Sequence, residues 1–280
     1  MMLLADSGST KTDWLGYLPH APLLRFQSSG LNPFYQTEAT ILEILRREVL
    51  PQVPARVEVL YFYGAGCADA RSSLPVRQAL ASTFPALSTL EVHSDLLAAA
   101  RALCGHEPGL ACILGTGSNN ALYDGTRIIH NIGSLGFWLG DEGSGGYLGK
   151  QLVVHYLHQE LPDELQEAFR AAFPEINRLT VLEHAYRQPF PNRYFAAFSP
   201  FLGQHREHAF VRALIGRAFD LYLEKYVLRH PDAARYLVHF TGSVAYHYQE
   251  LLAAAVAAKN LRLGTIQKSP MEGLLRFHIS

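Results

Sequence analysis

A unit that occurs twice restricts the fold more than any other feature of this chain: an apolar strand, a turn of small residues, and a second strand. Leu3-Leu4-Ala5 leads into Asp6-Ser7-Gly8-Ser9-Thr10-Lys11-Thr12 and on to Asp13-Trp14-Leu15-Gly16-Tyr17. Ala111-Cys112-Ile113-Leu114 leads into Gly115-Thr116-Gly117-Ser118 and on to Asn119-Asn120-Ala121-Leu122-Tyr123. The second copy continues through Asp124-Gly125, a two-residue hairpin signal, into Thr126–Ile129. A duplicated domain follows, and 280 residues, 49% of them hydrophobic, are enough for two cores. The boundary is placed at Glu107-Pro108-Gly109, which gives domains 1–108 and 109–280.

Further strand-like runs at Val57–Tyr63, Leu90–His93 and Tyr236–Phe240 alternate with helical patterns, which predicts an α/β architecture. Thr37 is placed to cap a helix that Pro51 ends, and the longest helix is expected over about Glu207–Leu228, with Val211, Leu214, Ile215, Ala218 and Tyr222 on one stripe.

Both repeated turns offer what a phosphate cradle needs: backbone N–H groups that can be approached, hydroxyls that can donate, and no bulky side chain in the way. A hairpin turn is the plainer explanation for either alone; their pairing at the starts of two repeats favours a polyphosphate ligand. Neither is a commoner nucleotide motif. A P-loop needs Gly immediately before Lys and a helix next, whereas Thr10 precedes Lys11 and a strand follows. The turn 115–120 lacks the third Gly of the dinucleotide fingerprint and also runs into a strand.

Three carboxylates stand at informative places. Asp6 ends the first strand beside its cradle, where it could hold Mg²⁺ against nucleotide phosphates or brace the turn. Asp95 follows the strand at 90–93 and precedes a helical run, as either an N-cap or a catalytic base. Asp141, with Glu142, lies in Gly133-Ser134-Leu135-Gly136-Phe137-Trp138-Leu139-Gly140-Asp141-Glu142-Gly143-Ser144-Gly145-Gly146, too rich in glycine for the interior of an element. That loop's acids could bind sugar hydroxyls or begin the next helix. Near the end, Phe240-Thr241-Gly242-Ser243-Val244 gives a strand and a flat turn, with a helix expected from about Tyr246.

A net charge of −1 argues against a nucleic-acid surface and favours small diffusible partners. Met1-Met2-Leu3-Leu4-Ala5-Asp6 has no basic n-region, and the apolar run Leu251–Ala258 is far short of the ~20 residues of a membrane span, so a cytoplasmic chain with no membrane partner is expected. Cys67, Cys104 and Cys112 are odd in number and read as ordinary buried thiols; no His pair sits at metal-ligand spacing beside further ligands.

Together these segments resemble the actin-like ATPase and sugar-kinase superfamily. Within it they are similar to the N-acetylglucosamine kinases, grouped with the activators of benzoyl-CoA reductase and hydroxyacyl-CoA dehydratases. The resemblance spans nearly the whole chain and rests on residues 6–12, Gly30-Leu31-Asn32-Pro33, Ser94-Asp95, 114–119, Gly140-Asp141-Glu142-Gly143-Ser144 and Thr241-Gly242-Ser243-Val244, taken in order and spacing.

It implies two ribonuclease-H-like domains with a nucleotide cleft between them and a homodimer. Gly8, Ser9, Thr10, Lys11, Gly115, Thr116 and Gly117 would surround the ATP phosphates, Gly242 and Ser243 would approach adenosine, and Asp6 would serve Mg²⁺. Asn32, Ser118, Asn119 and Asp141 would line the sugar site, with Asp95 as base. The implied activity is phosphorylation of the 6-hydroxyl of an amino sugar such as N-acetylglucosamine, glucosamine or N-acetylmuramic acid. The alternative is an ATP-hydrolysing activator or switch acting on a partner, but the activators hold an iron–sulfur cluster through paired cysteines that this chain lacks. Two positions depart from the pattern: Ser7 stands where these proteins often have Gly, and Leu135 where a better-known sugar kinase has Trp.

Overall fold

The computed structural model describes residues 1–8 and 10–279. Among them ten strands form two five-stranded sheets with the same topology. The first holds β1 (Met2–Ser7), β2 (Lys11–Tyr17), β3 (Leu24–Ser29), β4 (Val59–Gly64) and β5 (Thr89–Ser94) in the order β3-β2-β1-β4-β5. The second holds β6 (Gly109–Leu114), β7 (Ser118–Tyr123), β8 (Ile128–His130), β9 (Leu237–Thr241) and β10 (Arg262–Gln267) in the order β10-β9-β6-β7-β8. In each, the first strand pairs antiparallel with the second and parallel with the fourth. The strand-turn-strand repeat seen in sequence is therefore the opening hairpin of two equivalent sheets.

The helices are α1 (Glu38–Ile44), α2 (Leu74–Thr83), α3 (Asp95–Cys104), α4 (Gly136–Leu139), α5 (Gly145–Leu157), α6 (Asp163–Ala172) and α7 (Arg178–Tyr186), then α8 (Pro191–Ala196), α9 (Ser199–Gln204), α10 (Ala209–Lys225), α11 (Ser243–His247), α12 (Gln249–Ala258) and α13 (Met271–Ile279). The longest, α10, is shorter at both ends than the periodicity predicts: His208 caps its first turn by accepting from Phe210 N–H, and the chain tightens after Lys225 into a 3₁₀ turn. No helix among the described residues is long and apolar enough to cross a membrane.

The chain forms two compact units. One contains Met1–His106, Gly125–Arg127 and Pro270–Ser280; the other contains Glu107–Asp124 and Ile128–Ser269. Within the first, alternation along the strands sends side chains to two faces. Leu3, Ala5, Trp14, Leu60 and Phe62 pack with Ile41 of α1 and Val76, Ala79 and Leu80 of α2. Leu4, Leu15 and Tyr63 point the other way and pack with Ala98 and Ala102 of α3 and Met271, Leu274 and Leu275 of α13. The span 109–280 drawn from the sequence runs through to α13, whose buried face lies in the first unit's core. In the second unit one large cluster unites Leu110, Cys112 and Leu114 of β6 with Leu148 and Leu152 of α5, Phe219 and Tyr222 of α10 and Phe240 of β9. Cys67 and Cys112 are buried as expected, whereas Cys104, on the last turn of α3, is only half-buried.

Candidate active site

In the first unit the chemistry gathers at the C-terminal ends of β1 and β5. The β1–β2 turn is closed by a hydrogen bond from Gly8 N–H to Lys11 O of 3.0 Å and leaves Gly8, Thr10 and Lys11 exposed; Ser9 lies outside the described residues. A methyl group built on Gly8 would meet only Lys11 O at 3.7 Å, so the chain's own packing has room for alanine there. The Lys11 ammonium is held by Asp13 at 2.9 Å, two residues along β2 on the same face.

Ser7 fixes what lies next to this turn. Its buried hydroxyl shares a hydrogen bond of 2.7 Å with the Thr12 hydroxyl, which also lies 3.2 Å from Ser29 O, and Ser7 Oγ accepts from Leu31 N–H at 2.9 Å. Gly30 N–H also donates to Thr10 O at 3.1 Å. The segment Gly30-Leu31-Asn32 is thereby stitched to the turn. Asn32, 6% exposed, accepts from Phe34 N–H at 2.9 Å and donates its own N–H to Gln36 Oε1 at 2.8 Å. A side chain at Gly66, where φ is +84°, would strike Asn32 Oδ1 at 2.4 Å, so that glycine makes room for Asn32.

Asp6 is partly buried, and its pKa is pushed up to about 7 by burial first and then by the carboxylates of Asp95 and Asp13, with Lys11 opposing. Asp95 opens α3, but it is not the cap: Ser94 holds that position and accepts from Leu97 N–H at 3.2 Å. The capping explanation for Asp95 therefore falls away. Burial raises its pKa too, against backbone N–H groups of the first helical turn. Among the described residues no three His, Cys, Asp or Glu side chains converge closely enough to cage a metal by themselves. A repelling, desolvated set of carboxylates fits instead an ion that arrives with a nucleotide, since Mg²⁺ is commonly held through one or two carboxylates plus phosphates and water.

In the second unit the β6–β7 turn is closed by Gly115 N–H to Gly117 O at 3.0 Å, and a methyl on Gly115 would meet nothing within 4 Å. The chain's own packing therefore has room for a side chain at Gly115. The first turn of α5, capped by Ser144, docks beneath it: Gly145 N–H donates to Gly115 O at 2.8 Å and Gly146 N–H to Thr116 O at 3.0 Å.

Asp141 and Glu142 do not start this helix. Asp141, at φ +58°, accepts with Oδ1 from Ser118 N–H at 3.3 Å and from the Ser134 hydroxyl at 2.5 Å, while burial raises its pKa against those bonds. Glu142 is wholly engaged by Lys225 and by Tyr226 Oη, which outweigh burial and hold it below the usual carboxylate range. Both of its oxygens thus have partners within the protein. Ser118 is 7% exposed and its Oγ has no partner among the described residues. Asn119, on the other face of β7, accepts from Asn131 Nδ2 at 3.2 Å.

Gly242, at φ +115°, ends β9 where a Cβ would lie 2.3 Å from Leu114 O and 3.1 Å from Gly115 N; α11 then starts at Ser243, three residues before the sequence placed it. Beside it is a pocket of about 480 Å³ lined by Ser199, Gly203 and Arg206 from the α9 region and by Ser243, Val244 and His247 from α11. Gly145 joins pocket to cradle, because its missing Cβ would touch Ser199 Oγ at 3.3 Å, Gly115 O at 3.4 Å and Val244 Cγ2 at 3.6 Å. Sequence reasoning found the α11 wall of this pocket and missed the α9 wall. Ser199-Pro200-Phe201-Leu202-Gly203-Gln204 carries no motif, and Gly203 is its only small-residue signal.

Two glycine-turn sheets of identical order define an actin-like ATPase fold of the kind that sugar kinases use. No family model and no curated protein matches the chain. Among solved structures it is 44% identical to a Porphyromonas gingivalis protein described as a "putative N-acetylglucosamine kinase", over 99% of this chain and 98% of that one, with a TM-score of 0.95. A Chromobacterium violaceum protein of the same description shares 20% identity over 99% and 98% of the two chains, at a TM-score of 0.73. A glucokinase of the ROK family from Streptomyces griseus, solved with glucose and AMPPNP, shares the fold at 13% identity, 99% and 97% coverage and a TM-score of 0.59. The chain belongs to the N-acetylglucosamine kinase-like family of the actin-like sugar kinases.

Proposed function

We propose that this protein is an ATP-dependent kinase for the 6-hydroxyl of an amino sugar, with N-acetylglucosamine as its substrate. The observation that carries the proposal is the 44% identity, over essentially the whole of both chains, to the Porphyromonas gingivalis protein of that description. The ROK glucokinase solved with AMPPNP supports nucleotide binding by the same fold.

On this reading the open turns at Gly8–Lys11 and Gly115–Gly117 receive ATP phosphates, and the pocket of about 480 Å³ receives adenosine against the flat Gly242–Val244 turn and the α9 wall. Mg²⁺ arriving with the nucleotide near Asp6 would supply charge neutralisation for the transferred phosphoryl group. Asp95 orients the sugar 6-hydroxyl and accepts its proton as the oxygen attacks the γ-phosphorus and the bond to the departing ADP breaks. Its raised pKa suits that task, because a base whose conjugate acid titrates nearer neutrality is better matched to proton transfer. Asn32, Ser118, Asn119 and Asp141 are assigned to the sugar; of these, Ser118 Oγ is buried and has no partner among the described residues.

An ADP-release assay across N-acetylglucosamine, glucosamine, N-acetylmuramic acid and glucose, with the phosphate position read by NMR, tests the proposal. N-acetylglucosamine is expected to give the highest kcat/KM and a 6-phosphate. ATP hydrolysis indifferent to every sugar would overturn it in favour of an activator ATPase.

A further inference from the structure

The element that grips the helix carrying Asp95 comes from the far end of the sequence. We propose that α13 sets the position of Asp95, with Gly273 and His278 as its positioning residues; this rests on the reading of Asp95 as the base.

Two contacts support it, both on the C-terminal half of α3. Gly273 lies so close to α3 that a Cβ would fall 2.3 Å from Ala102 O, 2.7 Å from Ala102 Cα and 2.8 Å from its carbonyl carbon. These are backbone atoms and cannot rotate away. Restoring ordinary contact would need a separation of about 1 Å more between the helices. At the other end of α13, Arg101 Nη1 donates to Tyr63 Oη at 2.7 Å, and Tyr63 Oη shares a hydrogen bond of 2.8 Å with His278 Nε2. Burial and then the Arg101 charge push the His278 pKa down to about 4 and keep the ring neutral; it is stacked on Tyr61 at 3.7 Å between ring centroids, and Arg101 lies over the Phe277 ring at 5.0 Å. The relay joins α13 to β4 and α3. On the same helix Met271, Leu274 and Leu275 fill the space against Leu4, Leu15, Ala98 and Ala102.

Asp95 is the first residue of α3 and Ala102 stands roughly 10 Å along the same helix, at ~1.5 Å per residue. A helix moves as a rod over that length, so a shift imposed at Ala102 is delivered at Asp95. A misplacement of about 1 Å at a reacting group can cost on the order of 10² in rate. The contact is remote from the chemistry, yet it fixes where the carboxylate stands.

The test compares Gly273→Ala, His278→Leu and His278→Gln in the full-length protein, with folding checked by circular dichroism. Gly273→Ala is expected to lower kcat by about 10- to 100-fold while KM for ATP stays within about twofold. His278→Leu, which cannot hydrogen-bond to Tyr63, is expected to lower kcat by roughly threefold to tenfold, and His278→Gln, whose amide can, to restore it. A role in stability alone would lower the melting temperature of all three and leave kcat at 20 °C unchanged, and that result overturns the proposal. If Gly273→Ala does not fold, equal kcat in His278→Leu and His278→Gln overturns it. Should the wild type phosphorylate no sugar, the kinase reading fails separately, and crystal structures of the variants still decide whether Asp95 has moved.

Discussion

Ser7 shows how one hydroxyl can decide the arrangement of two loops. Its bonds to Thr12 and Leu31 are buried, and removing a buried partner leaves a donor unsatisfied at a cost of about 1–3 kcal/mol. Ser7→Ala is expected to lower the melting temperature by several degrees and to raise KM for the sugar more than KM for ATP, because the segment Gly30-Leu31-Asn32 loses its anchor; steady-state kinetics on both substrates measure the split. Asp95→Asn is expected to lower kcat by at least ~10²-fold while calorimetry shows ATP binding retained. Asp6 carries a pH signature. Its folded pKa of about 7 lies above the unfolded value of 3.8, so its contribution to stability is complete below the unfolded value and is lost as pH rises through the folded one. Thermal melts without nucleotide should therefore fall between about pH 4 and pH 7. Asp6→Asn should flatten that decline, and a decline as steep as the wild type's in the variant would assign it to other groups.

At the level of elements, the opening hairpins were legible because alternating apolar residues and a glycine-rich turn leave few other structures open to Leu3–Tyr17 and Ala111–Tyr123. β3 and β10 were not. Leu24–Ser29 is a half-exposed edge strand with little apolar pattern, and Arg262–Gln267 alternates weakly and carries a bulge against β9. The carboxylates at 6, 95 and 141 could be nominated from their places beside turns, but only the fold separates them: Ser94 takes the cap that Asp95 was a candidate for, and Ser118 and Ser134 take up one oxygen of Asp141. The α9 wall of the pocket depends wholly on tertiary packing around Gly145. Gly242 is the element-level position where the backbone itself is decisive. Gly242→Ala forces a side chain into a φ of +115° and against Leu114 O, and is expected to destabilise the protein by more than about 2 kcal/mol, read by denaturant melts. An alanine at Gly115, where nothing lies within 4 Å, is expected to leave stability within about 0.5 kcal/mol and to weaken nucleotide binding.

Across the whole molecule, two copies of one sheet have taken different chemistry. Asp6 pairs across the first hairpin with Asp13, whereas the matching pair in the second hairpin is Ile113 with Asn119. The acidic cluster therefore belongs to the first copy alone, and the second offers the pocket and the buried hydroxyl of Ser118. The first copy is also completed out of order. Tyr63 and His278 are separated by 215 residues, yet they meet in one hydrogen bond on the face that α13 covers. With synthesis at about 5–20 residues per second, that face waits roughly 10–40 s with only α3 against Leu4, Leu15 and Tyr63 until α13 emerges. A nascent chain of this design must keep that face of its first sheet from aggregating while the second sheet is still being made.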